Sequence, residues 1–225
     1  MCSVYHLGAT AEELMEAFKI LRQIEFLEPR YNIRPSESVP VIREAADGSR
    51  EIAKLQWGFV PSWSDARRTA HTLARSETVA SSPSFRSSAH NKRCIIPARG
   101  FFEWENTSNR TKQKWHITAA DDSLMAFAGI WDRYVEDGEE LETFAMITTN
   151  SNEFMHSMND RMPVILDPNS IDVWLSRGMT DTDRLRPFFT AVPNGFLTRS
   201  AVANIQREDS PKCIAPVKLQ RGLFD

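Results

Sequence analysis

The sequence predicts an α+β domain, a mainly antiparallel curved sheet or open barrel with helices at its periphery. Three observations carry this expectation. Strand-like runs follow one another with few helical stretches between them. The pairs Asp47-Gly48 and Asp137-Gly138 each separate two such runs, as hairpin turns do. No Gly-rich phosphate loop and no βαβ alternation is present, which argues against a nucleotide-binding fold.

Element by element, Thr10-Ala11-Glu12-Glu13 reads as a capping box that opens a helix. Leu14, Phe18, Ile20, Leu21 and Ile24 extend its apolar face until Pro29 ends it. After Tyr31-Asn32-Ile33-Arg34-Pro35, the runs Val39 to Ile42 and Ile52 to Trp57 flank the Asp47-Gly48 turn. Further strands are expected at Cys94 to Ile96, Phe101 to Trp104, Lys114 to Thr118, Leu124 to Trp131 and Thr143 to Thr149. Asp137-Gly138 joins the last two. Two helices follow, from about Asn169 to Ser176, closed by Gly178, and from about Asp181 to Phe189.

The 225 residues show no low-complexity linker or repeat, so one domain spanning residues 1–225 is expected. No apolar stretch approaches the roughly 20 residues a membrane span needs. The N-terminus lacks the basic, apolar, small-residue order of a signal peptide. Cys2, Cys94 and Cys213 are too few and too scattered for a disulfide framework or a zinc cluster. A reduced, cytoplasmic, monomeric domain without metal or cofactor is the expectation.

Charge is unevenly spread. The net charge is −3, yet from Ala66 to Gly100 the basic residues Arg67, Arg68, Arg75, Arg86, Lys92, Arg93 and Arg99 meet a single acid, Glu77. Such a segment can neutralise phosphates locally or form a solvated face.

Position 2 is a cysteine. Without Met1, Cys2 carries an α-amine and a thiol on adjacent carbons, with reference pKa values of about 7.7–8.0 and about 8.5. The amine can condense with an aldehyde to a Schiff base. The thiolate on the same residue can then close onto the imine carbon, giving a thiazolidine. By itself a Cys at this position also reads as an accident of a frayed terminus.

Five further segments give this cysteine a context. They are Tyr31-Asn32-Ile33-Arg34-Pro35, Trp57-Gly58-Phe59-Val60-Pro61-Ser62-Trp63, Ala74-Arg75-Ser76-Glu77-Thr78, Arg93 through Trp104, and Asp160-Arg161-Met162-Pro163-Val164-Ile165-Leu166. In this order behind Met-Cys, the chain resembles the SRAP family of SOS-response-associated peptidases, or abasic-site-processing proteins, from Cys2 to about Asn204. The resemblance implies a single α+β domain that binds single-stranded DNA. It implies an N-terminal cysteine that couples to the aldehyde of an abasic site, in the DNA damage (SOS) response, and an autoproteolytic thiol peptidase activity. It implies an active site of cysteine, asparagine, glutamate and histidine. Cys2 and Glu103 stand in place, whereas Leu73 occupies the asparagine position and Asn159 the histidine position.

The residues themselves allow two readings each. Glu103 lies among aromatics, where a raised pKa would suit a general acid, or it is an ordinary strand charge facing solvent. Arg75, Arg86 and Arg161 can take phosphates through the guanidinium fork, or Arg75 pairs with Glu77 and Arg161 with Asp160. Trp63 and Trp57 can stack unpaired bases or sit in the core. Asn32 and Pro35 belong to a loop that can wall a groove. His71 and His156 can replace the lost imidazole or be structural. Three functions follow: covalent abasic-site processing in single-stranded DNA, a non-covalent single-stranded DNA-binding module, or a thiol peptidase that trims only Met1.

Overall fold

The computed structural model describes residues 3–21, 27–64, 70–107 and 111–218. Its strands are β1 (Tyr5–His6), β2 (Ser38–Glu44), β3 (Arg50–Trp57), β4 (Leu73–Arg75), β5 (Arg93–Ala98) and β6 (Gly100–Asn106). They continue as β7 (Lys112–Ala119), β8 (Met125–Glu136), β9 (Glu139–Asn150), β10 (Arg161–Pro163) and β11 (Leu197–Val202). The helices are α1 (Ala11–Phe18), α2 (Arg86–Asn91), α3 (Glu153–His156) and α4 (Ile171–Leu175).

Pairing runs β9-β3-β2-β5-β8, and β8 pairs back onto β9, so these strands close a ring. β4 and β10 extend the ring along the far half of β9. Closure removes sheet edges and leaves β5 buried along its whole length, which is why Cys94-Ile95-Ile96-Pro97-Ala98 reads apolar without alternation. β1, β6, β7 and β11 form a second sheet. Only Arg99 separates β5 from β6, so the chain passes directly from one sheet to the other. One core is shared between them, with Phe101 of β6 edge-on to Phe127 of β8 at 5.8 Å.

The β8–β9 hairpin turns at Asp137 and Gly138, both at positive φ (52° and 82°), as a two-residue turn matched to strand twist requires. The Asp47-Gly48 turn likewise joins β2 to β3. At α1 the Thr10–Glu13 capping box is formed in both directions. The helix stops at Phe18, earlier than the apolar spacing suggests, because Lys19 turns left-handed and its N–H closes onto Glu16 and Met15 carbonyls. Ile24 lies outside the described residues. The helix expected at Asp181–Phe189 is instead a 3-10 stretch, Thr182–Phe188. Pro187 inside it cannot donate the N–H an α-helix needs. β1, β4, β10, β11 and α2 carry no period long enough to read.

Arg93 ties these elements together. It is buried, and its five N–H donors reach the carbonyls of Trp174, Ala89, His90, Ser176 and Met179 at 2.5–2.8 Å. Burial pulls its pKa down to about 10, which still leaves it charged at neutral pH.

A second buried polar group lies where β1 meets β6 and β7. His6 Nδ1 and His116 Nε2 are 3.3 Å apart. A Cβ on Gly8 would stand 2.0 Å from His6 Nε2, and one on Gly100 would stand 2.3 Å from His116 Nε2. Glycine is required at both positions for the rings to fit. Burial, with the mutual repulsion of the two rings, lowers His6 to about 3, and burial with Lys114 nearby lowers His116 to about 4. The unfolded chain therefore binds protons below about pH 6.5 that the folded chain refuses. Stability should fall as pH drops from about 6.5 to 4.5, by on the order of 2 kcal/mol per histidine. Urea titrations at both pH values should show this loss, and His6→Gln should reduce it. Equal losses in wild type and variant would refute the assignment.

Candidate active site

β6 alternates its side chains across the second sheet. Phe101 faces the shared core, Phe102 packs on Val4 and Val202 of the opposite face, and Glu103 returns to the inner side. Glu103 is 3% exposed, so it is not a solvent-facing strand charge. Asn159 donates from Nδ2 to Glu103 Oε2 at 3.2 Å, and its own Oδ1 accepts the Arg161 backbone N–H at 3.1 Å. Those two bonds fix which way the amide points. Burial pushes the Glu103 pKa above the ordinary carboxylate value, against a smaller opposing pull that includes the Asn159 bond. A carboxyl whose acidity is weakened by burial in this way is suited to give a proton to a leaving oxygen.

The N-terminal segment approaches this acid. β1 runs antiparallel to β6, with Tyr5 opposite Phe101, and Phe102 N–H donates to Val4 O at 3.0 Å. Going back from Tyr5, the pairing direction carries the chain toward Glu103. Cys2 lies outside the described residues.

Asn159 is placed by local chain logic. Asn152 caps α3 by accepting Met155 N–H at 3.0 Å, and the Asn159 N–H closes onto Met155 O at 2.9 Å. β10 then begins at Arg161, opposite Asn150. Leu73 opens β4 opposite Met146 of β9 and packs its side chain on the core. His156 is exposed beside Ser151 Oγ at 3.4 Å, and His71 lies edge-on to Phe85 at 5.2 Å.

Several residues read as DNA contacts are placed otherwise. Trp57 is fully buried, stacked on Phe144 with its indole N–H on Thr72 O at 2.8 Å, so it is core and offers no face to a base. Asn32 is buried, and its amide donates to Gln206 and Glu208 carbonyls beneath the C-terminal segment. Arg161 is also buried. Its guanidinium takes both oxygens of Glu77, at 2.6 and 2.9 Å, together with Asn150 Oδ1 and Thr148 O. The carboxylate it meets is Glu77 rather than Asp160, and both terminal nitrogens are engaged by protein acceptors. Glu77 pairs with Arg161, and among the described residues no ion pair joins it to Arg75.

The others face outward. Arg75 ends β4 and Arg86 begins α2, both exposed, and no ion pair joins either to a carboxylate of the described residues. Trp63 is 61% exposed in the turn after Pro61. Pro35 is half-buried before Ser36, whose φ of 74° and N–H bond to Trp57 O at 2.7 Å shape the loop. Among the described residues no group of His, Cys, Asp and Glu could hold a metal ion, and no helix is long and apolar enough to cross a membrane. Sequence reasoning missed Asn150 and Thr148, which hold Arg161. Both sit in an apolar strand and carry no local signal.

Fold and site together define an α+β barrel protein with a shielded acid beside its own N-terminal strand. A family model described as SOS response associated peptidase (SRAP) matches residues 1–205, and the chain belongs to that family. It is 34% identical over 223 residues to the abasic site processing protein YoqW of Bacillus subtilis, covering 95% of this chain and 99% of that one. It is 29% identical to the abasic site processing protein HMCES of Pongo abelii, covering 85% of this chain and 66% of that protein. A crystal structure of a protein from Bacteroides thetaiotaomicron superposes with a TM-score of 0.85 at 24% identity, covering 96% of this chain and all of the other, which shows the fold.

Proposed function

We propose that this chain processes abasic sites in single-stranded DNA by forming a covalent thiazolidine through Cys2, after removal of Met1, as part of a DNA damage (SOS) response. The observation that carries this reading is the antiparallel pairing of β1 on β6, which sets Val4 beside Phe102, the residue next to the buried Glu103. The relatives' names, abasic site processing proteins, supply the substrate. The α-amine attacks the open-chain aldehyde, and the carbinolamine loses water as Glu103 gives its proton to the departing hydroxyl. The Cys2 sulfur then adds to the imine carbon, and the nitrogen takes up a proton. Arg75 and Arg86 hold phosphates and Trp63 stacks an unpaired base, while Pro35 walls the approach.

Intact mass first establishes that Met1 is absent. Heated denaturing gels should then show an adduct with abasic single-stranded DNA for wild type, little with intact or duplex DNA, and none for Cys2→Ala. An adduct that survives heating in Cys2→Ala would sink the mechanism. A second reading, the non-covalent DNA-binding module, draws on Leu73 and Asn159, which replace both polar partners of the family's site. Salt-dependent binding with no adduct in wild type would favour it.

A further inference from the structure

Behind Arg75 lies a cleft of about 550 Å³ whose lining includes Ser76, Ser81, Asn150, Thr182, Arg186 and Phe189. It separates the turn after β4 from the 3-10 stretch Thr182–Phe188. We propose that this cleft receives the base of a nucleotide flanking the abasic site, stacked on Phe189 and hydrogen-bonded at its edge. This rests on the single-stranded DNA reading above and adds a subsite to it.

The volume accommodates a nucleoside, and the chemistry of the walls fits one. Phe189 is half-buried, wedged edge-on to Trp174 at 6.1 Å and held through its carbonyl by Thr149 Oγ1 at 2.8 Å. It is thus a fixed aromatic surface. Asn150 Oδ1 accepts from Arg161 Nη1 at 2.8 Å, which leaves its Nδ2 as a donor for a base. Glu77, also in the lining, is bridged by both Arg161 nitrogens, so its charge is compensated while its oxygens keep lone pairs that can accept. Amide donor and carboxylate acceptor both hang on Arg161, and every base carries an adjacent acceptor and donor along its pairing edge to meet such a pair. The cleft therefore accepts any base in preference to a baseless sugar. Its cations fit the backbone of the same nucleotide. Arg75 precedes Ser76 at the mouth, and Arg186, bound to Asp183 at 2.9 Å, is exposed on the opposite wall.

The test uses single-stranded oligonucleotides that carry one abasic site and one 5-iodouracil, placed in turn at each neighbouring position. Irradiation and peptide mapping should attach one flanking position, on one side only, to the peptide containing Phe189. For that oligonucleotide Phe189→Leu, which keeps an apolar side chain against Trp174, should weaken binding about 5- to 150-fold, the range of a lost base–aromatic stack. Replacing the same nucleotide by a baseless tetrahydrofuran spacer should weaken wild type similarly and make Phe189→Leu without further effect. Photoproducts that map away from the cleft, or an equal loss for Phe189→Leu with and without the base, would overturn the subsite. The thiazolidine reading is scored separately by the Cys2 adduct. Adduct without cleft photoproducts removes only the subsite, and cleft photoproducts without adduct remove only the covalent chemistry.

Discussion

The double variant Leu73→Asn/Asn159→His should crosslink abasic DNA faster than wild type, by up to about 10²–10⁴, the usual worth of a general acid–base. Asn159 already occupies the place from which a side chain reaches Glu103. Its two bonds fix the amide with nitrogen toward the acid and oxygen toward the Arg161 N–H. An amide held there orients the carboxyl but exchanges no proton, whereas an imidazole would do both. Leu73 presents no hydrogen-bonding atom from β4, and an asparagine there supplies one. Binding should change little, because Arg75, Arg86 and Trp63 are untouched. Single-turnover time courses on denaturing gels, with affinity measured separately on intact DNA, separate rate from binding. An unchanged rate, or an affinity shift as large as the rate change, would refute the assignment. His156→Ala and His71→Ala should leave the rate alone, since the first meets Ser151 and the second Phe85 rather than Glu103.

Arg93→Ala should cost about 3–5 kcal/mol of stability, the range for breaking a buried charged network. All five donors of this guanidinium end on main-chain carbonyls from α2 and from the segment around α4. Removing it leaves the Trp174 and Ala89 carbonyls, both in buried contacts, without this donor, and it strips three part-buried contacts that join α2 to the segment around α4. Arg93→Lys should recover only part of the loss, because an ammonium offers three donors from one point where the guanidinium offers five in a plane. Calorimetry should show a fall of roughly 10 °C for the alanine variant, at about 2–4 °C per kcal/mol for a chain of this size. A loss below about 1 kcal/mol would mean that water replaces the side chain without penalty.

These two expectations draw on different kinds of information. By itself the sequence determined whatever is encoded over a few adjacent residues. The Thr10–Glu13 cap, the Asp-Gly turns, the long strands and the order of family segments depend on local sterics and alternation, and they appear where the residues place them. Local chemistry could not determine which polar side chains face water. Trp57, Asn32 and Arg161 each have a surface reading in isolation, and each is buried because partners far along the chain, Phe144, Gln206 and Glu77, close over it. Burial is a property of the closed ring and of the C-terminal segment laid across it. The same holds for the acid. That Glu103 is aromatic-flanked is local, but its shielding, its amide partner 56 residues away and the strand that leads back toward it exist only once β1, β6 and the α3–β10 turn are assembled, because hydrogen bonds and desolvation act through space and not along the chain.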